Sequence, residues 1–491
     1  MRLVVIGNGM VGSRFAEDVL ARDDAGKYDV TVIGDEACET YNRVLLSEVV
    51  AGRQDLAAIT LPVLAHPRLS VLRGVSAAAI DREDRVVVTT EGNRHRYDQL
   101  VLATGASARI PPLEGLGLGS GALPLGVHAL RSIDDAREIV AATLNSRRAV
   151  VLGAGVLGVE AASGLAQRGC PVTIIHPADA LMERQLDVSA STVLVGAMPG
   201  FGIHPRVGVG AEAAIVANGR LTGIRLTGGE VVESDLLVVA TGTVANTSLA
   251  AAAGLACERG IVTDAGSATA DGRIFAIGDC AQPPGGGTGL VAQGWDQARA
   301  LAERLTGTVA RGRAGGAGAS DVVRVKAHGL DVVTMGVCGG SRPTDPEQRT
   351  LSLSDPAAGR HIEVVVEGDR LVGATCIGAG QVAADLVAAY TRRTPVPRDP
   401  AHLLLATLSS APPAPSSPGD LADDAAVCRC NSVTKADVAR AHSRGAHSVA
   451  EVARETRATT GCGGCKDEVC GLLAWLGSRD EARLTATAAP V

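Results

Sequence analysis

One unit occurs twice in this chain: an apolar strand, a glycine turn and a helical stretch. Leu3-Val-Val-Ile6 runs into Gly7-Asn-Gly9-Met-Val-Gly12, and Ala149-Val-Val-Leu152 runs into Gly153-Ala-Gly155-Val-Leu-Gly158. The first glycine of such a turn permits the sharp reversal. The second lets the backbone approach a pyrophosphate, and the third lets helix and strand pack closely. The helix N-terminus then faces the phosphate with backbone N–H groups and the positive end of its dipole. Each copy is followed by another strand, Val30-Thr-Val-Ile33 or Val172-Thr-Ile-Ile175, and later by Ala-Thr-Gly, at Ala103–Gly105 and Ala240–Gly242. This duplication predicts two dinucleotide-binding α/β domains rather than a solenoid.

The two copies carry different flanking chemistry. The strand after the first ends at Gly34-Asp35-Glu36, where an acid can hydrogen-bond ribose hydroxyls; Glu36 is favoured over Asp35. Far downstream, Asp271-Gly-Arg-Ile-Phe-Ala-Ile-Gly278-Asp279 reads as a strand ending in Gly-Asp. Asp279 there can hold a ribityl hydroxyl, and Gly278 clears room for the flavin chain. Gly7, Gly9, Gly12, Glu36, Gly278 and Asp279 therefore point to FAD. The second copy, with Gly153, Gly155, Gly158 and Glu160, is the expected NAD(P)H site. Its following strand ends in His176, where an NAD-selective site would carry an acid, and no Arg follows to take a 2′-phosphate. NADH and NADPH both stay open, with a lean to NADH.

A flavin needs somewhere to send its electrons. Disulfide reductases of this architecture place a cysteine pair on the segment after the first acidic strand. Here that segment is Thr40-Tyr-Asn-Arg-Val-Leu-Leu-Ser47, without cysteine, and Cys38 stands alone before it. The tail offers a destination: Cys428-Arg-Cys430 and Cys462-Gly-Gly-Cys465. Thr434 with Asp437, and Ser448 with Glu451, have the spacing of capping boxes, and a helix is expected over 466–476. The Gly463 and Gly464 amides and that helix's N-terminus favour negative charge. Four thiolates suit zinc or a [2Fe–2S] cluster, and disulfides are a third reading. A flavin in the same chain favours the cluster, since zinc is redox-inert. Cys470 is not expected to be a ligand.

The formal charge of −7 argues against a nucleic-acid surface. The longest uncharged run, Leu236–Cys257, is broken by Gly242 and Asn246, so no membrane span is expected. The absence of a targeting segment and the clustering of cysteines suggest a cytoplasmic protein. Low-complexity stretches at Gly307–Ser320 and Ser409–Asp424 punctuate the chain. The expected domains are 1–110 with 245–306 for FAD, 111–244 for NAD(P)H, a reductase C-terminal domain at 320–407, a linker at 409–424, and a [2Fe–2S] domain at 425–477. The Pro/Ser linker would let the tail swing between the flavin and a partner.

Tyr41-Asn-Arg-Val-Leu-Leu-Ser47, Ala103-Thr-Gly105, Leu181-Met-Glu-Arg-Gln-Leu-Asp187 and Phe275-Ala-Ile-Gly-Asp279 together resemble the N-terminal half of NAD(P)H-dependent assimilatory nitrite reductase large subunits. They also resemble the electron-transfer subunits of assimilatory nitrate reductases. The tail resembles the bacterioferritin-associated ferredoxin domain, whose ligands match Cys428, Cys430, Cys462 and Cys465. Residues 321–407 resemble the C-terminal domain of rubredoxin-reductase-like flavoproteins. The resemblance implies an α/β fold of two Rossmann-like dinucleotide-binding domains in a glutathione-reductase-like flavoprotein, a small α+β reductase C-terminal domain and a small helical [2Fe–2S] domain. It also implies that Arg43 lies near the FAD phosphates or isoalloxazine and that Thr104 and Gly105 line the FAD site. No catalytic side chain is expected, because hydride passes between cofactors. The second Ala-Thr-Gly departs from the pattern, continuing Thr243-Val-Ala-Asn246 where relatives often have Arg-Pro-Asn.

The function so implied is electron supply from NADH or NADPH, through FAD and the cluster, to a separate nitrate or nitrite reductase catalytic subunit. Nitrate is favoured, because the chain has no cysteine set for a sirohaem domain. A subunit of an amine or amino-acid dehydrogenase complex and a metal-binding redox sensor are the alternatives.

Overall fold

The computed structural model describes residues 1–62, 64–117, 123–308, 321–340, 342, 345–405, 418–428, 431, 433–461 and 463–487. Cys430, Cys462 and residues 406–417, which include 409–417 of the expected linker, lie outside the described residues.

The N-terminal unit is built on β1 (Arg2–Ile6), α1 (Met10–Leu20), β2 (Asp29–Gly34) and β3 (Leu69–Arg73). With strands Gln99–Leu102 and Ile274–Ala276 they form a five-stranded parallel sheet, in the order 274–276, 99–102, β1, β2, β3. Strands buried on both faces read as continuous apolar runs rather than alternating ones, as Leu3-Val-Val-Ile6 does. Phe15, Ala16 and Val19 of α1 pack with Ala298, Leu301 and Leu305 on one face. Val4, Ile6, Leu100 and Ile274 meet Ile80, Val87 and Tyr97 on the other. The helix begins at Met10, directly after the glycine turn, because Gly9 is itself the extended N-cap.

The second unit repeats this plan with α2 (Leu46–Val50), α3 (Ile133–Thr143) and α4 (Val156–Gln167) packed on a second parallel sheet. Its strand order is 203–207, 172–176, 149–152, 236–239, 127–129. One apolar core runs from Leu46, Val49 and Val50 of α2 through Val151, Ile174 and Val238 to Val325, Val332 and Ile377. The segment after β2, the second dinucleotide unit and the C-terminal sheet thus share an interior. That C-terminal sheet has five antiparallel strands between 323 and 377, with helix Gly380–Arg392 on its face.

The tail is a short hairpin, 426–428 with 433–434, followed by helices Lys435–Ser443, Val449–Thr456 and Lys466–Thr487. Both capping boxes form: the Thr434 and Ser448 hydroxyls accept from the Asp437 and Glu451 amides, and the Thr434 and Ser448 amides donate to the Asp437 and Glu451 carboxylates. The last helix runs eleven residues past its expected end at 476. Among the described residues, no helix is long and apolar enough to cross a membrane.

Candidate cofactor sites

Both glycine turns have the same construction. Gly7 has φ +115° and Gly153 φ +100°. A Cβ at Gly7 would lie 2.1 Å from the Ala103 carbonyl oxygen, and one at Gly153 would lie 2.5 Å from that of Ala240. A Cβ at Gly12 or Gly158 would strike the carbonyl oxygen of Gly7 or Gly153, at 2.0 and 2.1 Å. Gly9 and Gly155 differ: a Cβ at either meets nothing within 4 Å. The first and third glycines are therefore filled by the protein's own backbone. The second opens on free space at a helix N-terminus, which suits a pyrophosphate.

Charged side chains converge beside the first turn. Glu36 accepts the Tyr41 hydroxyl at 2.7 Å and pairs with Arg43, while Asp35 is exposed and accepts the Glu36 amide at 3.0 Å. Arg43 Nη1 donates to the Arg131 carbonyl at 3.1 Å. Arg131 Nε donates to the Ala106 carbonyl at 2.8 Å, and its Nη2 meets Asp279 Oδ2 at 2.6 Å. Burial, with the Arg131 charge second, pulls the Arg43 guanidinium down to about 10. Two guanidiniums held close in a partly desolvated site fit a phosphate-bearing anion, whose charge would offset their repulsion. Gly278, at φ +76°, lies under Val11 of α1. With open space above Gly9, an acid at the end of β2 and Asp279 across the sheet, these residues fit FAD.

Thr104 has a further role. Its hydroxyl donates to the Asn246 carbonyl at 2.7 Å, and the Asn246 side chain returns a bond to the Thr104 carbonyl at 2.8 Å. The Asn246 amide donates to the Gly105 carbonyl at 3.0 Å. The first Ala-Thr-Gly is thereby bound to the segment after the second, at the crossover between the two units.

At the second turn, Glu160 is buried and fully engaged. It accepts from Ser47 Oγ at 2.6 Å, Lys326 Nζ at 2.6 Å and the Lys326 amide at 3.0 Å. His176 is also turned inward. Its Nδ1 lies 3.4 Å from the Ala154 amide and its Nε2 3.1 Å from Glu183 Oε2. The ring thus supports the glycine turn from below.

In the tail, Cys428 ends a strand and Cys465 directly precedes helix Lys466–Thr487. Both are buried in one apolar cluster with Val427, Val433, Val438 and Val469. Asn431 Nδ2 lies 3.8 Å from Cys428 Sγ. Two of the four expected thiols therefore lie in one buried apolar cluster, the shielded surrounding that a thiolate-held cluster needs, and thiol donors fit [2Fe–2S]. Cys430 and Cys462 lie outside the described residues. Gly463 rests on the Tyr41–Ser47 segment: a Cβ there would sit 3.4 Å from Leu45 Cδ2.

Sequence reading missed Arg131, Asn246 and Lys326. Each acts across a distance of about a hundred residues or more, and no local pattern marks any of them. Asn246 keeps the Asn of the family pattern, and the departure lies just before it at Val244 and Ala245.

The model of the pyridine nucleotide-disulphide oxidoreductase family matches residues 1–300, and that of the BFD-like [2Fe-2S] binding domain matches residues 426–475. The nitrite reductase [NAD(P)H] of Bacillus subtilis (strain 168) is 32% identical over 471 residues, which is 95% of this chain and 56% of that protein. The assimilatory nitrate reductase electron transfer subunit of the same organism is 31% identical over 484 residues, 97% of this chain and 60% of that protein. The chain spans about half the length of these curated relatives. Among solved structures, the putidaredoxin reductase–putidaredoxin complex covers 83% of this chain and 99% of its own, with TM-score 0.70 and 23% identity, which establishes the fold.

Proposed function

Since the chain belongs to the pyridine nucleotide-disulphide oxidoreductase family and ends in a BFD-like [2Fe-2S] binding domain, we propose that it carries electrons from NAD(P)H to a nitrate- or nitrite-reducing centre on a partner. It is an NAD(P)H-dependent FAD oxidoreductase. When bound, FAD would supply the conversion of a two-electron hydride into single electrons, and a [2Fe–2S] cluster would supply a one-electron carrier to an external acceptor.

The protein's residues orient these groups. Gly9 and Gly155 leave the pyrophosphate positions open, while Gly7, Gly12, Gly153 and Gly158 hold the turns tight. Glu36 and Asp279 supply acceptors for ribose and ribityl hydroxyls, and Arg43 supplies positive charge. Gly105 and Thr104 close the site at the domain crossover. His176 supports the NAD(P)H turn, Glu160 ties the helix after that turn to Ser47 and Lys326, and Cys428, Cys430, Cys462 and Cys465 hold the cluster. The observation that carries the reading is the seating of Gly463, within the cysteine loop, on Leu45 of the Tyr41–Ser47 segment. Where disulfide reductases carry a cysteine pair, this chain has no cysteine and meets the cluster module instead.

Nitrate is the favoured final substrate. Reducing either anion needs a metal centre with an open coordination position, and a [2Fe–2S] cluster occupies all four clustered cysteines. The test is anaerobic turnover with NADH or NADPH and each anion in turn. The chain alone should form neither nitrite nor ammonium, and adding a nitrate reductase catalytic subunit should give NAD(P)H-linked nitrite formation. Nitrite or ammonium formed by the chain alone would contradict the proposal.

A further inference from the structure

We infer that the cysteine-bearing module has a built seat on the flavin-binding unit, and that Asn42 and the pairs Arg14–Asn431 and Glu17–Arg457 position the cluster to receive electrons. This rests on the electron-supply reading above and adds the geometry of one of its steps.

Asn42 is 1% exposed, and its amide is used at both ends. Oδ1 accepts the Val44 amide at 3.0 Å, capping the turn that carries Arg43. Nδ2 donates to the carbonyls of Thr460, at 2.8 Å, and Gly461, the two residues before Cys462. One buried side chain thus fixes the flavin-side turn and grips the ligand loop. Asn431 is its counterpart on the module. Its Oδ1 accepts from Arg14 Nη1 of α1 at 3.0 Å. Its Nδ2 donates to the Arg457 carbonyl at 2.7 Å and lies 3.8 Å from Cys428 Sγ. One turn along α1 from Arg14, Glu17 pairs with Arg457.

The seat therefore touches both expected cysteine loops from two directions. Arg14 and Glu17 belong to the helix whose N-terminus forms the first glycine turn, and Asn42 and Leu45 flank Arg43. Directional bonds from desolvated amides and guanidiniums specify one orientation, whereas an apolar patch would allow several. Orientation matters because no bond forms between flavin and cluster. Each hydride would supply two electrons and one proton: the electrons would pass singly, each reducing the cluster's iron by one with the acceptor reoxidising it between, and the one proton would pass to solvent once per hydride. The rate of each electron step falls steeply with separation.

Asn42→Asp is the informative variant. It keeps the shape and the acceptor for Val44, but turns a carboxylate oxygen toward two carbonyls. In the full chain loaded with FAD and cluster, NAD(P)H is mixed anaerobically while flavin bleaching, cluster reduction and hydrogen exchange are followed. The expected result is cluster reduction at least tenfold slower than wild type relative to flavin bleaching, with faster exchange over 457–461 and α1. Glu17→Arg and Arg457→Glu should each slow the step, and the double swap should regain most of the loss. Unchanged cluster reduction in Asn42→Asp and both single swaps would overturn the seat, as would slowed reduction with unaltered exchange. A wild-type cluster that NAD(P)H fails to reduce would instead overturn the electron-supply reading itself.

Discussion

Arg131 Nη2 lies 2.6 Å from Asp279 Oδ2, joining the strand end of the first dinucleotide unit to the loop that opens α3 in the second. The same carboxylate is the proposed acceptor for a ribityl hydroxyl, so under that proposal one residue would serve both cofactor and domain contact. Asp279→Ala should lower FAD affinity at least tenfold, measured by flavin retained after equilibrium dialysis, with circular dichroism preserved. Full FAD occupancy in this variant would remove Asp279 from the site.

The glycines of one turn should respond differently. Gly7→Ala must hold φ +115° and places its methyl on the Ala103 carbonyl. The strained backbone alone costs on the order of 1–3 kcal/mol, so the thermal midpoint should fall by several degrees. Gly9→Ala has ordinary backbone angles and an open surrounding. It should leave the apoprotein's midpoint nearly unchanged while weakening FAD binding, because the methyl enters the space a pyrophosphate needs. Equal effects on fold and FAD at both positions would contradict this division.

Buried Glu160 of α4 pairs with half-buried Lys326, which adjoins the C-terminal sheet. Removing one partner of a buried pair costs about 3–5 kcal/mol, whereas replacing both with neutral groups of similar shape costs far less. Lys326→Met should therefore lower the denaturation midpoint more than Glu160→Gln/Lys326→Met together. A double variant no more stable than the single one would show that the pair is not coupled.

Asp98 is one contributor to acid sensitivity. Side-chain and backbone hydrogen bonds from Arg2 hold the Asp98 carboxyl down to about 2. The unfolded value is about 3.9, so the folded pKa is the lower of the two. Its stabilisation is complete above pH ~4 and is lost as pH falls toward 2. The difference in thermal midpoint between wild type and Asp98→Asn should be constant from pH 5 to 7 and shrink below pH 4. A difference that grows on acidification would refute the assignment.

The parts of the fold visible in the sequence were those that backbone geometry leaves no freedom to vary. Gly7, Gly12, Gly153 and Gly158 announce themselves because another residue's carbonyl fills their side-chain space. The capping boxes at Thr434 and Ser448 are legible because donor and acceptor sit three residues apart. His176 was visible as a strand-end residue, but its inward turn onto Ala154 was not, since strand position does not fix a rotamer. Asn42 sat in the quoted Tyr41–Ser47 segment with no sign of its bonds to 460 and 461, which depend on how two distant modules dock. The last helix outran its expected end because the apolar pattern stops before the helix does.

The central claim is that electrons from NAD(P)H reach a cluster in the tail by way of the flavin. Its most direct test is an anaerobic NADH or NADPH titration of the full chain, with flavin absorbance and cluster EPR read on the same samples and iron and acid-labile sulfide assayed beforehand. The account predicts about one FAD, two irons and two sulfides per chain, flavin bleaching, and the appearance of a reduced [2Fe–2S] signal that is absent from Cys465→Ser. Zinc in place of iron, or a bleached flavin beside a cluster that stays oxidised, would contradict it.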